Sequence, residues 1–200
     1  MVLKLEIAKI PMLSVRLELQ NHLEMLKRPG FATELKRLNG QPVRTEYQDW
    51  FGLPEVLLTQ VLQRGILGLE GYLPAAVRIG HERNGGDPEA SYLINPFELP
   101  GVGTADKFYN QLPAKLDPAF SLSKHDGELW ARTSALYREV RNPIFHGHQL
   151  VSIELAAVVD IFAHVCELYD WIDTWMPLHE VAPGAWQVSH RRVIPIPADG

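Results

Sequence analysis

The run Arg141-Asn142-Pro143-Ile144-Phe145-His146-Gly147 sets a permanent cation and a titratable imidazole five positions apart. A guanidinium offers a planar fork of donors that matches phosphate oxygens. An imidazole gains or loses a proton near neutral pH. Together they suffice for cleavage of RNA without a metal. A neutral His146 would take the proton of a 2′-hydroxyl, that oxygen would attack the adjacent phosphorus, and Arg141 would neutralise charge growing on the equatorial oxygens. The products would be a 2′,3′-cyclic phosphate and a free 5′-hydroxyl. His148, or a histidine of a second subunit, would protonate the leaving oxygen. Arg138, one turn before Arg141, is placed to hold a neighbouring phosphate. The same residues have an architectural reading. An arginine near a helix C-terminus favours the helix dipole and bonds the last carbonyls, His146 serves as a turn residue, and Gly147 stops the helix.

The elements around this run are helical. From Gly127 to Asn142, Leu129, Trp130, Thr133, Leu136, Tyr137 and Val140 recur at helical spacing. Pro143 disfavours helical geometry at the residue before it, so the helix is expected to stop or bend at Asn142. A second long helix is expected from Ser152 to Trp175. Leu155, Val158, Phe162, Val165, Tyr169 and Ile172 form a heptad-like seam, and Ile161, Leu168 and Trp175 form a second stripe. A helix apolar on two sides is central to a bundle or shared with a partner.

The motif and its two flanking helices, about 127–175, resemble the signature of the HEPN superfamily. Arg141 matches the family arginine, Asn142 the polar residue after it, and His146 the family histidine. Pro143 inside the motif is a local departure. The resemblance implies an all-α helical bundle with a long antiparallel helix pair flanking the motif. It implies Arg141 and His146 as catalytic residues of a metal-independent endoribonuclease, a toxin or defence effector. Asn142, Arg138 and His148 would then contact substrate. It also implies a homodimer with RNA as substrate, and an antitoxin or other protein as partner. Some members are non-catalytic and bind a protein or nucleic acid, which is the alternative expectation. No cofactor is implied.

The rest of the chain bounds these expectations. Two hundred residues, 46% of them hydrophobic, suit one domain over 1–176 followed by a proline-containing tail over 177–200. Net charge of -5 argues against a general basic nucleic-acid binder but leaves room for a local pocket. One cysteine, Cys166, excludes a disulfide framework and reads as a small packed side chain. His146 and His148 form a His-x-His pair, but no second cluster of ligands accompanies them, so a metal is not expected. No secretory pattern opens the sequence and no apolar run has membrane length, which predicts a cytoplasmic protein.

Upstream, Glu6 to Lys27 reads as an amphipathic helix ended by Pro29-Gly30. Pro54 to Leu73 is a strong helix candidate. His81 to Gly103 reads as loop, and Thr104 to Leu116 as a short helix capped by Thr104 and interrupted by Pro113. In the tail, Trp186, Val188, Val193 and Ile194 suit a short strand or an extended arm. Arg191-Arg192 is a basic pair best read as solvated, and Tyr47, Trp50 and Phe51 are best read as core rather than base-stacking residues.

Overall fold

Apolar residues at helical spacing decide the architecture. In the computed structural model, which describes residues 3–8, single positions between 17 and 30, and 53–147, 155–178 and 191–196, the fold is all-α. Helix α1 (Leu53–Asn84) buries Leu62, Ile66, Leu69, Leu73 and Val77, one continuous seam. Helix α2 (Gly127–Leu136) begins where the Asp126 carboxylate accepts the backbone N–H groups of Glu128 and Leu129 at 3.0 and 2.9 Å, capping donors that have no partner within the helix. Helix α3 (Leu155–Trp175) carries the heptad-like seam, with Val158, Phe162, Val165, Tyr169 and Ile172 all buried.

α1 packs against α3. Tyr72 and Tyr169 meet edge to face, with ring centroids 4.8 Å apart. Leu168 of the second stripe is fully buried, while Ile161 and Trp175 are partly buried. Each buried Leu or Ile contributes about 1.5–3 kcal/mol relative to exposure, and this burial holds the bundle together. The segment between α1 and α2 adds Phe108, Tyr109, Leu112 and Leu122 to the same core.

Four expectations need correction. α1 does not end at Leu73 but continues through Pro74 to Asn84. Pro74 removes one helical hydrogen bond, that to the Glu70 carbonyl, while buried Ala76, Val77 and Ile79 keep the apolar face going. His81–Gly103 is not simply loop: it starts inside α1 and holds short helical turns at Ser91–Ile94 and Pro96–Glu98, which bury Leu93 and Pro96. The turn at Thr104–Asp106 is preceded by Gly103 as its cap residue, so Thr104 is not the cap, and Pro113 opens a separate turn at Pro113–Lys115.

The fourth correction concerns residues far apart in sequence. Glu6 to Ala8 are not helical. They belong to β1 (Leu3–Ala8), which pairs antiparallel with β2 (Arg191–Ile196) from Leu3 opposite Ile196 to Ala8 opposite Arg191. Val193 and Ile194 of the tail therefore lie in a strand, and among the described residues this ribbon is the only sheet. Pro195 is tolerated because each strand of a two-stranded ribbon has a free edge. Positions 17, 20, 21 and 23–25 are helical, but the break falls at Lys27 and Arg28, with Pro29 and Gly30 already helical again. Proline suits a first helical turn. Residues 152–154, expected to open the second long helix, Tyr47, Trp50 and Phe51, and Trp186 and Val188 lie outside the described residues. No described helix is long and apolar enough to cross a membrane.

Candidate functional site

The motif sits on a helix that does not stop where Pro143 predicts. After α2 the chain widens into a π turn (Tyr137–Arg141) and then resumes α geometry (Asn142–Phe145). Asn142 is helical, with φ -63° and ψ -48°, and its N–H bonds the Tyr137 carbonyl five residues back. The wide turn absorbs an extra residue and relieves the crowding that a proline ring meets in a regular α turn. The helix ends at the motif's last two residues. His146 donates its N–H to the carbonyls of Asn142 and Pro143, at 3.0 and 3.1 Å. Gly147 has φ +86°, the left-handed conformation that closes a helix and that only glycine adopts freely.

Arg141 faces inward. Its Nε donates to Glu70 Oε1 at 2.9 Å and its Nη2 to Glu70 Oε2 at 3.1 Å, a two-pronged ion pair between α1 and the π turn. The Arg141 and Glu70 side chains are only 11% and 9% exposed. Tyr137 donates to Glu70 Oε1 at 2.9 Å, and Tyr109 shares a 3.0 Å hydrogen bond with Tyr137. Burial pushes both phenols well above their ordinary pKa, which keeps the hydroxyls neutral and able to donate. Burial works against the charge on Arg141, but the hydrogen bonds and charge of Glu70 outweigh it and raise the guanidinium pKa.

The rings of Tyr137 and Phe145, four positions before and after Arg141, lie against the guanidinium, with Phe145 the closer at 4.3 Å from ring centroid to Cζ. α1 also reaches the end of the motif through Gln63, whose Nε2 donates to the Ile144 carbonyl at 3.4 Å. Gln63 and Glu70 lie about two turns apart and so share one face of α1.

The other expected site residues are placed differently. His146 is exposed, and among the described residues its ring makes no hydrogen bond. Asn142 is half-buried. Arg138 is exposed and pairs with its neighbour Glu139 at 2.7 Å. The structure thus sets Arg141, Asn142 and His146 on one stretch of helix, with the arginine turned to α1 and the histidine in solvent. His148 lies outside the described residues. Sequence reading missed Glu70, Tyr109 and Gln63 as partners of the motif. The available signal was Glu70 itself, an acidic residue beside Leu69 in an apolar seam, because a charge on a buried face requires a partner.

A groove of about 530 Å³ runs between α2 and α3 and includes His164 but neither Arg141 nor His146. His164 Nε2 lies 3.2 Å from the Thr133 hydroxyl, which donates to the Leu129 carbonyl at 2.8 Å. That hydroxyl accepts from the ring, so Nε2 carries the proton and Nδ1 is bare in the neutral form. Burial first, and the nearby Arg132 second, lower the pKa of His164, against an opposing pull from Glu167. Because the folded pKa lies below the unfolded value, the unfolded chain binds more protons as pH falls through about 6.5. Stability due to neutral His164 is therefore complete above that pH and is lost between the unfolded and folded pKa values. Thermal melts from pH 7.5 to 5 should show a smaller decline for His164→Gln than for the wild type; parallel declines would remove His164 as the cause.

The chain matches no family model, no curated protein and no solved structure.

Proposed function

We propose that this chain is a HEPN-like, metal-independent endoribonuclease working as a homodimer. The observation that carries the reading is the asymmetry of the pair: His146, exposed and without a ring hydrogen bond among the described residues, follows an Arg141 that is paired to Glu70 and largely buried within the same stretch of helix. A proton-transfer group must reach solvent and substrate, whereas a charge-stabilising group works best when already oriented. Glu70 takes Nε and Nη2 and leaves Nη1 outside the fork. In this reading His146 removes the 2′-hydroxyl proton, the 2′-oxygen bonds to phosphorus, and the 5′-oxygen leaves with a proton from a second histidine. Arg141 stabilises the phosphorane charge through Nη1, and Asn142, Arg138 and His148 contact the strand. A toxin or defence effector held by a cognate protein partner fits such an activity.

One observation favours the alternative, a non-catalytic HEPN-like module that binds a protein partner or nucleic acid. The Arg141–Glu70 pair already neutralises the arginine, as a purely architectural role requires. The test is incubation of the protein with mixed RNA in EDTA, alongside His146→Ala. Cleavage by the wild type alone, leaving 2′,3′-cyclic phosphate ends, supports the nuclease. Intact RNA with folded, dimeric protein favours the binding module.

A further inference from the structure

We propose that Glu70 is the positioning residue of the Arg141/His146 site, aiming the guanidinium at the scissile phosphate without touching it. This rests on the nuclease reading. Among the described residues Glu70 is the only buried carboxylate, and it is reached from outside its own helix by Arg141 and Tyr137. Oε1 accepts from Arg141 Nε and from Tyr137, and Oε2 accepts from Arg141 Nη2. The Tyr109–Tyr137 hydrogen bond extends this chain into the core. Glu70 cannot swing without breaking buried bonds, so the guanidinium plane is fixed.

Of the guanidinium's five N–H donors the fork uses two, and Phe145 lies against the planar group. Nη1 makes no hydrogen bond among the described residues, and this is the edge the proposal assigns to the anion. A guanidinium set in place before substrate arrives needs no reorganisation as charge develops, so its alignment acts on the chemical step more than on binding.

Glu70→Gln keeps the side chain's size and one carbonyl oxygen, but it opposes N–H donors to Nη2 and breaks the fork. Arg141 keeps its charge and loses its counter-charge, so attraction to phosphate does not weaken. Steady-state cleavage of an RNA oligomer in EDTA, scaled to folded protein, should show kcat lower by about ten- to a hundredfold with KM unchanged or reduced. Glu70→Asp retains the carboxylate and should recover part of kcat. A folded Glu70→Gln variant with wild-type or higher kcat, or one affected only in KM, overturns the proposal.

If the wild type cleaves no RNA, the nuclease reading fails separately, and the positioning claim is read on the Arg141 Nε–H resonance. That proton should exchange slowly in the wild type and rapidly in Glu70→Gln. Equal protection in both proteins overturns the positioning role.

Discussion

Arg141→Ala lowers unfolding stability by about 3–5 kcal/mol, the usual cost of removing one partner of a buried ion pair. The substitution leaves the Glu70 carboxylate, 9% exposed, with the Tyr137 hydroxyl but, among the described residues, no counter-charge. It also removes the packing of the guanidinium against Phe145, worth about 0.5–2 kcal/mol depending on desolvation. Urea unfolding of wild type, Arg141→Ala, Glu70→Gln and the double variant closes a thermodynamic cycle. In the Arg141→Ala background, Glu70→Gln should be stabilising, because it removes a buried charge that has lost its partner. Equal midpoints for wild type and Arg141→Ala would show that the fork contributes nothing to folding. The expected loss also governs how activity is interpreted: an inactive Arg141→Ala protein reports unfolding as readily as chemistry, unless its folded fraction is measured in the same tube.

This coupling of site and scaffold explains which parts of the protein were legible in its sequence. The seam Val158, Phe162, Val165, Tyr169, Ile172 was readable because burial on a helix follows a local period, and each of these residues is buried. The motif's stretch of helix was partly readable. Pro143 signals a stop by a rule that holds for regular α geometry, and the π turn before it changes that geometry. The strand at Glu6–Ala8 was not readable, because its pairing partner, β2, lies at the other end of the chain. Locally its alternation of Leu, Lys, Leu, Glu and Ile competes with a helical pattern, and distant pairing decides the outcome. The Arg141–Glu70 fork joins residues 71 positions apart, so neither residue's own neighbourhood names the other. What the sequence did carry was half of that fact: a carboxylate set in an apolar seam.

His146→Ala should lower RNA cleavage by about 10²–10⁴-fold, the usual contribution of a positioned general acid or base. The same substitution should change stability by no more than about 0.5 kcal/mol, since the ring is exposed and, among the described residues, unbonded. The helix end survives it: the bonds to Asn142 and Pro143 come from the backbone N–H, and Gly147 keeps its left-handed turn. This separation makes His146 the better probe of the pair, because Arg141 answers to both folding and chemistry while His146 answers to chemistry alone. The measurement is the initial cleavage rate in EDTA with a thermal melt on the same sample. A variant that melts with the wild type and cleaves as fast assigns His146 no part in proton transfer, and Arg141 is then a core residue whose charge serves Glu70. A variant that melts with the wild type and fails to cleave places proton transfer on the exposed imidazole, and the buried fork beneath it becomes the device that keeps the adjacent cation aimed.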